Sequence, residues 1–139
     1  MSIESALQSA LVSAVGTACS PTPVRARNDN SNAMTATQVL VSVQPADKTR
    51  GNSKSIQAFD VELMAYCEVS ADKSQSTLLG IHDTLETYAN TLRTTPSGLT
   101  VTGATVKGLV FQVGSELMEQ SDVFWAYRTV KFTLFLQVP

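Results

Sequence analysis

The chain has 139 residues, of which 43% are hydrophobic and 16% charged, and its formal net charge is -2. That length suits one domain with one core, the low charge leaves few groups to solvate a wholly free surface, and the slight acidity excludes a broadly basic nucleic-acid surface. Two cysteines outside any C-x-x-C and a single histidine exclude a disulfide framework and the usual zinc site, and no apolar run approaches the roughly 18 residues of a membrane span.

Residues 2–15 predict an amphipathic helix. Ile3, Ala6, Leu7, Ala10, Leu11, Ala14 and Val15 recur at helical spacing, Ser2 can cap the N-terminus, and Gly16 is placed as the terminating C′ residue. The opening is striped rather than block-apolar and carries Glu4, so it does not read as a secretory leader. The expectation is a soluble chain made in a reducing cytoplasm. Residues 17–37 form a long polar loop with Pro21, Pro23 and an Asn/Asp/Ser cluster at 28–32, and with room for a short strand at 24–27. Cys19 falls in that loop. Loops of about twenty residues in compact domains are commonly functional or order only on binding.

Residues 38–44 read as a strand, with Val39, Val41 and Val43 on one face, and Pro45 ends it. A hairpin loop at 46–54, with Gly51-Asn52 at its tip, leads to a long strand at 55–69. Phe59, Val61, Leu63, Ala65 and Cys67 share one face of that strand. Asp60, Glu62, Met64 and Tyr66 take the other.

Residues 72–92 predict the longest helix, with Leu78, Ile81, Leu85, Tyr88 and Leu92 in one stripe. His82 lies one step off it, as a boundary or surface residue. Arg93, Pro96 and Gly98 stop the helix. Residues 99–113 are extended, with a bend or bulge expected at Gly103 or Gly108. A polar turn at 114–120 carries Glu116 and Glu119, and residues 123–138 give the strongest strand pattern of the chain. Arg128 interrupts its apolar face; it pairs with an acid, lies at an exposed start, or meets another subunit. Trp125, Tyr127 and Phe135 occupy the opposite face, where a wet sheet should be polar. That second face therefore needs a cover, from the N-terminal helix or from a neighbouring subunit.

The fold class expected is α+β: a mostly antiparallel sheet of about four strands packed against a long central helix and an N-terminal helix, all in one domain over 1–139. No chemistry accompanies it. His82 has no nucleophile patterned beside it, Asp60 and Glu62 read as the wet side of a strand, and the glycines form no phosphate-cradling motif. The expectation is no enzyme, no cofactor and no metal. A dimeric α+β domain with a small-molecule pocket near Tyr88 and Trp125 is a second possible reading.

The order of elements resembles the tail terminator (tail completion) and related neck proteins of long-tailed bacteriophages. The opening helix ending in glycine, Val39-x-Val41-x-Val43, the strand at 59–69, the helix at 78–92 and the closing Arg128-Thr129-Val130-Lys131-Phe132-Thr133-Leu134 strand after an acidic turn carry that resemblance over nearly the whole chain. It implies a structural virion protein, made in the host cytoplasm. Its subunits would form a ring, hexameric in that family, that caps the tail tube and meets the neck or connector proteins. A head-side neck or minor capsid protein is the nearest alternative. Under this reading Arg25, Arg27, Lys48 and Arg50 would meet partners or face DNA passing through the lumen, and Trp125, Tyr127 and Phe135 would lie in contacts. The resemblance supplies no catalytic, cofactor or metal residue to carry over.

Overall fold

The computed structural model describes residues 2–27, 37–46, 55–68, 76–112, 120–121 and 125–139. Helix α1 (Ile3–Cys19) starts where the sequence places it, with the Ser2 hydroxyl accepting from the Ser5 amide at 3.1 Å. It does not stop at Gly16 but runs one further turn, and Cys19 is buried at its end instead of lying in a loop. Packing decides this against propensity. Helix α1 packs on the strand that follows, and a Cβ built on Gly16 would stand at ordinary contact distance, 3.9 Å, from that of Val24.

That strand, β1 (Val24–Ala26), lies parallel to β2 (Gln38–Pro45), and β2 pairs antiparallel with β3 (Ile56–Glu68). Helix α2 (Ser76–Thr94) and a single 3-10 turn (Pro96–Gly98) follow. The extended segment after them is two strands, β4 (Thr100–Val101) and β5 (Ala104–Phe111). Gly103 makes their turn at φ +84°, a conformation that favours glycine. The ladder slips between Val106 and Gly108, the bulge expected near Gly108. Strand β6 (Gln120–Ser121) and the long β7 (Trp125–Gln137) complete the chain.

Among the described residues the sheet is mixed and seven-stranded, in the order β1-β2-β3-β7-β5-β4, with β6 also on β7. The expectation of about four mostly antiparallel strands is therefore too small and misses the parallel pair. Two residues each of β4 and β6 are too short to show an alternation; β1 falls within the short strand read at 24–27, and its parallel pairing is what the sequence did not show.

Both helices pack on one face. Helix α2 lies over β3, β7 and β5, whereas α1 lies over β1 and β2, touches α2 and also reaches β4. Because β1 and β4 are opposite ends of the strand order, the sheet must curl for α1 to touch both. Leu7, Leu11, Val15, Val41, Leu63, Leu78, Leu85 and Phe132 are all fully buried between the layers. At about 25 cal/mol per Å² of apolar surface, this interior is the main source of stability. The N-terminal helix thus does not cover the second face of the sheet; a narrow, alanine-containing stripe fits beside α2 on the first.

His82 is buried rather than at a boundary, only 3% exposed. The covered arc of α2 is wider than its aliphatic stripe: His82 stands one turn after Leu78 and Ala89 one turn after Leu85, and both are buried with them. The His82 Nε2 lies 2.7 Å from Glu86 Oε1, one turn on.

Candidate functional site: the outer face of the sheet

Side chains alternate along a strand, so the residues between the core positions define a second, outer face. The registers place Leu40, Met64 and Thr129 in one row across β2, β3 and β7, with Gln38, Tyr66 and Tyr127 beside it. Next come Ser42, Glu62 and Lys131, and then Gln44, Asp60 and Thr133. Ala58 and Phe135 form the following pair, and Val110 of β5 stands opposite Thr133, in the row before it. The face is therefore banded: aromatic and aliphatic at one end, polar in the middle, apolar again at the other.

The middle band is internally satisfied. Arg27 Nη1 reaches Glu62 Oε1 at 3.1 Å and Lys131 Nζ stands 3.7 Å from Glu62 Oε2. Asp60 Oδ1 accepts from Thr133 Oγ1 at 2.8 Å and from Gln112 Nε2 at 2.9 Å. Asp60, Glu62, Gln112 and Lys131, with Ser42 and Gln44, line a shallow hollow of about 190 Å³. Exposed pairs of this kind contribute about 0–1 kcal/mol each, so their role is register and recognition more than stability. Each acid of this band is matched by a base or a donor.

The aromatic end is different. Tyr66 and Tyr127 lie with ring centroids 5.5 Å apart and tilted by 44°. Burial pushes the Tyr66 phenol above its ordinary value; Arg27 pulls the other way, and Tyr127 and Glu62 add to the rise. Gln38 and Thr129 are buried beside them, and Gln38 Nε2 and Thr129 Oγ1 have no hydrogen-bond partner among the described residues. Buried polar atoms left so cost about 1–3 kcal/mol each. At the other end Val110 is 57% exposed, the most exposed large aliphatic among the described residues.

Of the residues singled out from sequence, Arg25, Arg27 and Tyr127 fall toward one end of this face, and Phe135 lies eight residues along β7 at the other. Trp125 belongs to the same face by its register against Glu68; its side chain, and Lys48 and Arg50, lie outside the described residues. Arg128 is on the inner face and 8% exposed, so it is not presented to another subunit. Leu40, Gln38, Thr129 and Val110 were missed. Alternation from Val39 would have found Leu40, but nothing local marks Val110, whose face depends on the slip at Gly108.

Tyr88 is partly buried against the core, at the junction of the two helices. It lines a groove of about 440 Å³ with Ala18 of α1 and Asp83, Thr84, Thr87 and Thr91 of α2. Burial pushes its phenol up to about 12. Because the folded value lies above the unfolded value near 10, the protonated phenol's contribution is complete below pH 10 and is lost as pH rises through 12. Wild-type stability is therefore expected to fall by about 1–2 kcal/mol between pH 10 and 12, after allowance for a part-exposed ring. Chemical denaturation of the Tyr88→Phe variant should show a shallower alkaline loss, and an identical pH profile would count against this assignment.

Among the described residues, no group of three or more His, Cys, Asp or Glu is placed to hold a metal ion, and no helix is long and apolar enough to cross a membrane. No protein-family model and no curated protein matches the chain. A solved chain known only by a serial label is similar over 99% of this chain and 93% of its own, at 14% identity and a TM-score of 0.50. At that identity the likeness concerns the fold alone, an α+β arrangement of two helices on a curled mixed sheet.

Proposed function

We propose that this chain is a structural virion protein, a tail terminator subunit. Its copies form a ring, of about six by the family resemblance, that caps a tail tube and joins it to the neck or connector. One observation carries the reading: both helices lie on the inner face, so the outer face, with Tyr66, Tyr127, Phe135 and Val110, is left to be covered by something other than this chain's own helices. Aromatic side chains flanking a polar band are the composition of a contact surface with a register lock. The low charge of the chain and the resemblance in element order support the same reading. Arg25, Arg27, Lys48 and Arg50 would then face partners or passing DNA.

A dimeric small-molecule-binding domain is the second reading, favoured by the groove beside Tyr88. Electron microscopy of the purified chain, alone and added to tail tubes, separates the two. Rings at the tube end are expected. Dimers in solution with no density on tubes would overturn the terminator reading and leave the second.

A further inference from the structure

Two large apolar side chains stand out of the described surface, Leu79 of α2 at 39% exposure and Val110 of β5 at 57%. They lie on opposite sides of the sheet. Helix α2 packs on the inner face, whereas Val110 stands opposite Thr133 on the outer face. Their surroundings differ in sign. Helix α2 carries Asp83 and Glu86, both exposed, one and two turns after Leu79, and it has no lysine or arginine before Arg93. Side chains three, four and seven apart share one side of a helix, so Leu79 has an acidic rim.

Val110 has a basic setting. Lys107, the one charged residue of β5, is exposed where the ladder slips. On β7, two residues before Thr133, Lys131 shares the single acid Glu62 with Arg27. Asp83 and Lys107 hold no ion pair or hydrogen bond among the described residues. The two patches also match in scale. Leu79 and Asp83 are about 6 Å apart along the helix axis, and Val110 and Lys107 about 10 Å apart along the strand, a difference that a flexible lysine stem spans.

We infer that α2 of a second copy of this chain lies on the outer face of the sheet, with its Leu79 against Val110 and its Asp83 against Lys107. This contact rests on the ring reading and would build the ring. An apolar centre rimmed by opposite charges sets both the seat and the register of such a contact. Neither patch suits a copy of itself, because acid would meet acid on α2 and base would meet base on β5. The contact therefore uses two different surfaces. Each added copy leaves one of each kind free, and the series closes when the rotation permits. Helix α2 then covers two sheets, the inner face of its own and the outer face of the next copy.

Sedimentation velocity of the full chain, alone and with tail tubes, tests the contact. Asp83→Lys and Lys107→Glu should each weaken association of copies by about tenfold with unchanged circular dichroism, because like charges then meet at the joint. The double variant Asp83→Lys/Lys107→Glu should recover it, since every junction is again of opposite sign. Added salt should weaken the wild type. Under mild oxidation, Leu79→Cys/Val110→Cys in one chain should give a ladder of disulfide-linked oligomers, whereas either change alone should give dimers at most. Single charge variants that weaken association without recovery in the double variant would place Asp83 and Lys107 in separate contacts and overturn the pairing. Variants that assemble like the wild type but fail to bind tubes would give the patches to the tube protein and overturn it too. Rings that persist in every variant would overturn the contact and leave the ring reading standing. A wild type no larger than a dimer, alone and on tubes, would overturn both.

Discussion

Phe132→Ala should lower the unfolding free energy by about 3–5 kcal/mol, read from urea denaturation by the shift in midpoint at constant slope. Phe132 is fully buried on the inner face of β7, the strand with a long partner on each side. Its ring meets Phe111 edge-on, with centroids 6.4 Å apart and planes at 76°. The Arg93 guanidinium lies 5.5 Å from the Phe111 centroid, so the end of α2, β5 and β7 are tied through this one stack. Truncation removes both the transfer energy of the ring and a partner that Phe111 cannot replace, because the surrounding strands and α2 restrict collapse of the cavity. A loss below about 1 kcal/mol would mean that the interior is not centred where the two helices meet β7.

The second large effect falls on assembly, with stability untouched. Val110→Glu changes a side chain that is more than half exposed, so its unfolding midpoint should stay within about 0.5 kcal/mol of the wild type. If the outer face is covered by tube or neighbour, a buried unpaired carboxylate there should cost several kcal/mol and abolish binding to tail tubes. Phe135→Glu, one row along on β7, should act in the same direction but with some loss of stability, because that ring is half-buried in the isolated chain. Binding by both variants equal to the wild type would remove the outer face from the proposed function. The band of Asp60, Glu62 and Lys131 between these patches would then be ordinary solvated surface.

Long periodic segments were legible in the sequence. The starts of both long strands, the stripe of α2 and the Ser2 cap follow from alternation, spacing and capping chemistry alone. What escaped was set by contacts distant in sequence. Helix α1 runs past Gly16 and packs on β1, burying Cys19 at its end, and His82 is buried on the flank of the α2 stripe, one turn after Leu78. The parallel β1–β2 pair is three residues long, too few to carry a period. The candidate face was half legible: Tyr66, Tyr127 and Phe135 violate the alternation expected of a wet strand face, and that violation located it. Its bands could not be read, because rows across strands exist only once β2, β3 and β7 are in register.

Helix α1 spans from the β4–β5 turn to β1, and a Cβ on Gly103 would lie 3.4 Å from Ile3 Cδ1. Two residues a hundred positions apart in sequence are thus neighbours at the helix's first turn. Synthesis runs at about 5–20 residues per second, so roughly 5–20 s separate the emergence of Ile3 from that of its seat. Over that interval the apolar stripe of Leu7, Leu11 and Val15 lacks part of its cover. The first element made is among the last to be fully housed.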